Sequence, residues 1–317
     1  MLTALVAGSG AAANATSQHR VVHQARPHGL VQRGAGPAIP AVSYAVTAQT
    51  QEFGTNTNGF CPVASPNAPC DGNGLAGDYG TIDRVSSQYS NGGYGNYAPE
   101  THALTGNYMA VVSGTGDGNL GVGCPGVTAT SNPGETCTGP YALFGSGAAQ
   151  GGENVFPHAG FTVTDDLYLS PSTTDVAGSL VDDDVELNNN SGNYGIDNII
   201  TACAEANGPS LGYVINFGNG SPGSCAGSTV INTDGWYRFV FVFTDAAGNA
   251  VVTESVLTDP GNTVLATTGP QPVGGSVTPV TQWGGPGYFW LPSLDMSGMP
   301  LANFALQLGD HPQGHTP

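Results

Sequence analysis

Apolar side chains along this chain recur at every second position, and almost nowhere at the spacing of a helix. No stretch of eleven residues carries apolar side chains at i, i+3, i+4 and i+7 without a glycine or proline breaking it. The clearest alternation is 235–245, where Tyr237, Phe239, Phe241 and Phe243 interleave with Arg238, Val240 and Val242. Side chains two apart point to the same side of a strand, so four aromatic rings share one face, and the other face is apolar except for Arg238. Such a strand belongs in the middle of a sandwich, with its aromatic row packed between two sheets. The turn "DAAGN" (245–249) leads into 250–259, which predicts an antiparallel hairpin.

The same reading predicts strands at 41–48, 107–114, 160–170, 180–188, 196–205, 211–218, 263–269, 287–294 and 303–309. Most are β-branched or aromatic and bounded by Gly, Asn, Asp or Pro. Residues 49–106 are polar, glycine-rich and poor in aromatics other than Tyr, and are expected to be loops. About a dozen strands with little helix predict an all-β, two-sheet antiparallel sandwich of jelly-roll type, with long disulfide-stapled loops.

Composition sharpens this picture. Gly (49) and Pro (23) fall in short turn-like clusters among the 317 residues. Charged residues are only 9%, with 23 acids against 5 arginines and no lysine, for a net charge of −18. A chain this acidic repels phosphates, so nucleic acid and anionic membranes are not expected as partners. No run of 18 apolar residues predicts a membrane-spanning helix. Six cysteines stand at 61, 70, 124, 137, 203 and 225. An even count in turn-rich surroundings predicts disulfides and an oxidising compartment. Six cysteines allow 15 connectivities. The nearest-neighbour set Cys61–Cys70, Cys124–Cys137 and Cys203–Cys225 brackets a turn-rich segment each time.

The first residues, "MLTALVAGSGAAANA", read as the remnant of a secretory signal (1–16). Residues 17–40, which hold three of the arginines, read as a propeptide or flexible linker. Residues 41–317 are expected to form a single sandwich domain, secreted and extracellular.

Three segments, "FTVTDDLYLSPS", "DGWYRFVFVFTDAAGNAV" and "GGPGYFWLPSLDMSGMPLANFALQ", resemble uncharacterised secreted bacterial β-sandwich proteins of the concanavalin A-like lectin and glucanase type. The resemblance spans about residues 155–310 and implies a jelly roll with a concave face. It carries no diagnostic catalytic motif and implies no activity by itself.

The chemically richest stretch is "LVDDDVELNNNSGNYGID" (180–197). On a strand, Asp182, Asp184, Glu186 and Asn188 share one face, and Val181, Asp183, Val185 and Leu187 the other, with Asp183 as an edge exception. Three readings stand open. Glycosidases need two converging carboxyl groups, and jelly-roll glucanases similar to lichenases carry Glu-x-Asp-x-Glu on such a strand. That resemblance implies Asp182 as nucleophile, Asp184 as helper and Glu186 as acid/base, with Asp182 departing from the family's Glu. Legume-type lectins hold Ca²⁺ through a related spacing, which implies Asp182, Asp184, Asn188 and the downstream Asp197 as hard oxygen ligands. The plain reading is a solvated strand running into an Asn-rich turn.

Trp236, Trp283 and Trp290, with Tyr288, are candidates for a sugar-stacking platform, the best of them in "TQWGGPGYFWLP" (281–292); core and edge packing is the alternative. The segments 113–121 and 162–169 could each offer Ca²⁺ oxygens, but a turn and a solvated strand are the simpler expectations. There is no G-x-S-x-G elbow, and "GTGDGNLG" is not followed by a helix, so no nucleotide or organic cofactor is expected. Three functions follow as expectations: glycan or cell-surface polysaccharide binding, with Ca²⁺ as a candidate support; a retaining glycoside hydrolase on the 182/184/186 carboxylates; or a self-associating structural subunit.

Overall fold

The computed structural model describes residues 49–51, 60–61, 81–86, 104, 108–113, 115–116, 137–144, 153–172, 177–191, 195–207, 210–219, 225, 227–291, 294 and 297–309. Two antiparallel sheets account for most of them. The first sheet runs, in spatial order, β15 (Val264–Thr267), β14 (Asn249–Asp259), β13 (Gly235–Ala246), β8 (Phe161–Leu169), β18 (Ser297–Leu308), β4 (Tyr108–Ser113) and β3 (Thr81–Ser86). Two short strands join it: β1 (Gln49–Gln51) beside β18 and β16 (Gln271–Pro272) beside β14. The second sheet runs β12 (Thr229–Ile231), β11 (Ser210–Asn219), β10 (Ile196–Asn207), β9 (Leu180–Asn189), β17 (Trp283–Trp290), β7 (Tyr141–Leu143) and β2 (Phe60–Cys61). A small pair, β5 (Thr115–Gly116) and β6 (Cys137–Thr138), stands apart.

The chain passes from β8 in the first sheet to β9 in the second, and later from β17 in the second to β18 in the first. Because β18 lies beside β8 and β17 beside β9, these crossings run side by side, which is the wrap of a jelly roll. Among the described residues no helix is long and apolar enough to cross a membrane.

The aromatic row of β13 faces inward as its alternation predicts. Tyr237, Phe239, Phe241 and Phe243 are all buried in the main core. Phe161 of β8 stacks on Phe243 with centroids 4.5 Å apart, and Phe289 of β17 reaches Phe304 of β18 at 5.0 Å across the gap between the sheets. Removing such side chains from water contributes roughly 1.5–3 kcal/mol each. The hairpin is also as expected: β13 and β14 pair from Trp236↔Asp259 to Ala246↔Asn249, and the tight turn puts Ala247 and Gly248 at positive φ.

Two differences from the sequence reading concern edges and staples. The region 49–106, expected to be loops, contains three short strands: β3 and β2 end the first and second sheets, and β1 pairs with β18. The expected strand 41–48 lies outside the described residues. Cys203 and Cys225 form a disulfide with Cα atoms 5.3 Å apart, closing a separation of 22 residues. Cys61 and Cys137 lie in β2 and β6, while Cys70 and Cys124, their expected partners, lie outside the described residues.

Candidate functional site

The candidate site is the outer face of the second sheet, where β10, β9 and β17 lie side by side. The parity of β9 holds: Asp182, Asp184, Glu186 and Asn188 share the outward face. Register places Thr201 beside Asp182, Ile199 beside Asp184 and Asp197 beside Glu186 on the β10 side. On the other side Trp290 stands beside Asp184. Tyr288 falls within an irregular stretch of β17, where two register shifts take up the Gly-Gly-Pro-Gly run between Trp283 and Phe289.

This face is not a solvated strand, and that expectation is corrected. Asp182 is 0% exposed and Asp184 and Glu186 are each 1% exposed; Asp197 is half-buried. Each outer carboxylate but one has a bonded neighbour. Thr201 Oγ1 donates to Asp182 Oδ1 at 2.5 Å. The Gly195 backbone N–H donates to Glu186 Oε1 at 2.6 Å, and Tyr288 Oη donates to Asp197 Oδ1 at 2.9 Å. Gly195 makes its contact only because it lacks a side chain, since a Cβ there would fall 2.0 Å from the Leu187 carbonyl oxygen. Asp184, in the middle of the row, has no hydrogen-bond partner on either oxygen among the described residues.

Burial, with no counter-charge beside it among the described residues, sets the protonation of this row. Asp184 is held well above the ordinary carboxylate range by burial, and then by the neighbouring Asp197, Glu186, Asp183 and Asp182. Glu186 is pushed up to about 9 by burial and by Asp197, against the pull of the Gly195 N–H and Tyr288. The Tyr288 phenol is also raised, first by burial and then by the Glu186 carboxyl.

The aromatic candidates separate. Tyr288 and Trp290 stay together on the acid-lined face, edge to face with centroids 6.1 Å apart and 81° between planes. Trp290 Nε1 donates to the Gly139 carbonyl at 3.2 Å. Trp283 is an odd number of residues from Trp290, and it packs against the hydrophobic core instead. Trp236 lies on the outer face of the first sheet, edge to face with Tyr168 at 5.5 Å. No single flat platform gathers all four rings.

The expected Ca²⁺ donors are not gathered either. Among the described residues, the only three candidate ligand atoms of His, Cys, Asp or Glu lying within 4.8 Å of one another belong to Cys203, Glu205 and Cys225, whose sulfurs are bonded to each other. The Asn188 amide nitrogen is directed to the Glu153 and Pro286 carbonyls, at 3.3 Å each, and stitches β9 to the irregular part of β17. As placed, the Asn188 side chain positions β17.

Two further groups of buried acids escaped the sequence reading. On the outer face of the first sheet, Arg238 Nε donates to Asp166 Oδ1 at 2.9 Å and its NH2 nitrogen to Asp166 Oδ2 at 3.2 Å. Arg238 also pairs with Asp259, and Asn303 Nδ2 donates to Asp166 at 3.0 Å. Burial lifts Asp166 to about 7, with Arg238 pulling it back down. Between the sheets lie Asp165, Asp183 and Glu254, each 0% exposed. The solvated strand expected over 162–169 and the edge position expected for Asp183 are therefore both corrected. A signal was present: Phe161, Val163, Asp165, Leu167 and Leu169 form one parity row, as do Ala250, Val252, Glu254 and Val256, so each acid interrupts an otherwise apolar face.

Fold and site together define a β-sandwich with an acid- and aromatic-lined outer face. No family model matches the chain, and no curated protein matches it. Among solved structures, the CBM2 module of the evolved Dit of Lactobacillus casei BL23 phage J-1 is similar at 9% identity and TM-score 0.38, over 85% of this chain and 100% of that one. Winged bean acidic lectin, solved with methyl-α-D-galactose, is similar at 10% identity and TM-score 0.28, over 82% of this chain and 98% of that one. At such overlap the sandwich assignment rests on the strand order and register described above.

Proposed function

We propose that this is an extracellular glycan-binding protein whose ligand face is the outer face of β10, β9 and β17. The observation that carries this reading is Asp184, a buried carboxyl without a hydrogen-bond donor among the described residues, set between Asp182 and Glu186 and beside Trp290. A buried acceptor left unsatisfied costs about 1–3 kcal/mol, and a ligand rich in hydroxyl groups supplies the missing donors. Tyr288 and Trp290 offer apolar edges to the C–H surface of a sugar ring, and the half-buried Asp197 marks the more open end of the row. The Cys203–Cys225 disulfide supports an oxidising, extracellular setting.

The test is a glycan array probed with the full chain and with Asp184→Ala and Trp290→Ala. Binding by the parent chain that both substitutions abolish, with melting temperature retained, is the expected result. A blank array together with sedimentation as large assemblies would replace this reading by self-association.

A hydrolase is the second reading, favoured by Glu186, whose carboxyl is pushed up to about 9 and so holds the proton a general acid must deliver. Against it, Asp182 and Glu186 are four residues apart on an extended strand, so their Cα atoms are about 13 Å apart. Retaining chemistry requires the carboxyl groups to converge to about 5–5.5 Å. Glu186→Gln separates the two readings: a hydrolase loses sugar release and keeps binding.

A further inference from the structure

The three acids between the sheets serve neither reading of the outer face. Asp165 projects from β8, Asp183 from β9 and Glu254 from β14 into a space lined by Val163, Leu167, Val181, Val185 and Val252. Asp165 and Asp183 meet side chain to side chain across the gap. Two carboxylates have no donor between them, so that contact requires a proton on one of the pair. No other group among the described residues bonds to either of them, or to Glu254.

Among the described residues, the titratable groups on the core side are the phenols of Tyr237 on β13 and Tyr213 on β11, and the charged groups around the trio lie on the opposite faces of its own strands and their neighbours. They are Asp166 on β8, Arg238 on β13, Asp182 and Asp184 on β9, and Asp259 at the end of β14. Arg238 is turned outward onto Asp166 and Asp259. From β10, the groups nearest Asp183 in register are Ile200 and Asn198, neither of which titrates. Among the described residues no cation therefore enters the core to balance the three acids.

A second, independent observation is compositional. With 5 arginines, 7 histidines and no lysine, the side chains reach at most +12 when every carboxyl is protonated. At neutral pH the net charge is −18. Self-repulsion in this chain is therefore smaller in acid than at neutrality.

We infer that Asp165, Asp183 and Glu254 form an acid-closed clasp: a proton shared by Asp165 and Asp183 ties the two sheets together, Glu254 sits beside them uncharged, and the sandwich loosens as the medium turns from acid to alkaline. The sign follows from linkage. Burial raises Glu254 from its ordinary 4.5 to about 8 and lifts Asp165 and Asp183 well above 3.8. The folded state then binds more protons than the unfolded chain. Stability is full below the ordinary carboxyl range and is lost as pH rises through the folded values. Each such group lowers the folded-to-unfolded ratio about tenfold per pH unit across that window.

The experiment is urea unfolding of the full chain at a series of pH values from about 4 to about 8, for the parent, Glu254→Gln and Asp165→Asn. The clasp predicts that the parent's midpoint falls as pH rises. It also predicts that each amide variant, which cannot ionise at that position, shows a shallower fall and overtakes the parent at the alkaline end. A parent midpoint that rises across the window, or variants that fall in parallel with the parent, would overturn it. Should these variants fail to fold, infrared spectra of the Asp184→Asn/Glu186→Gln double variant, which lacks the raised acids of the outer face, decide: protonated-carboxyl absorption persisting just above neutral pH supports the clasp, and its absence refutes it.

Discussion

The outer faces of the two sheets bury the same kind of side chain in opposite ways. On the first sheet, Asp166 and Asp259 are answered by Arg238, with Asn303 completing the shell of Asp166. On the second, Asp182, Asp184 and Glu186 are buried beside half-buried Asp197 with no cation among the described residues, and they depend on Thr201, the Gly195 N–H and Tyr288. A buried acid with a guanidinium in bidentate contact is self-contained and structural. A row of buried acids without one must hold protons or await a ligand. That contrast is why the proposed ligand face is the second sheet.

The largest expected effect breaks the self-contained face. Arg238→Met leaves Asp166 and Asp259 without their cation and should cost about 3–5 kcal/mol in urea unfolding at neutral pH. The loss should shrink in acid, because Asp166, lifted to about 7, takes up a proton there. Next comes the staple of the second sheet. Replacing Cys203 and Cys225 by Ser opens a separation of 22 residues, and should lower stability by about 3 kcal/mol in the same assay.

A matched pair of amide substitutions sharpens the contrast. Asp166→Asn should stabilise less at neutral pH than the outer-row substitution, because Arg238 draws the Asp166 carboxyl back toward ionisation. Asp184→Asn should stabilise at neutral pH and change little in acid, because the folded Asp184 carboxyl is raised and an amide has no proton to lose. Each unit of that shift corresponds to about 1.4 kcal/mol. The smallest effect is Tyr288→Phe, which removes the bond to Asp197 and should cost about 1 kcal/mol.

Much of the architecture was legible in the sequence because alternation is a local property. The aromatic row of β13, its hairpin with β14, and the parity that separates Asp183 from Asp182, Asp184 and Glu186 all follow from spacing of two. Burial was not legible for the acids. A carboxylate on a strand reads as solvated until its surroundings are known, and those come from residues distant in sequence, as Asp165 does for Asp183. The shared parity of Tyr288 and Trp290 was available; the register shifts in β17, which bring Tyr288 to the acid row, follow from pairing with β9 and Asn188 rather than from local pattern.

The contrast between the faces is tested most directly by following individual aspartate carboxyl carbons by NMR as pH is raised. The account predicts that Asp166, beside Arg238, ionises near 7 and that Asp184, with no cation beside it among the described residues, ionises well above the ordinary carboxylate range. An Asp184 carboxyl that ionises near the ordinary 3.8 would contradict it.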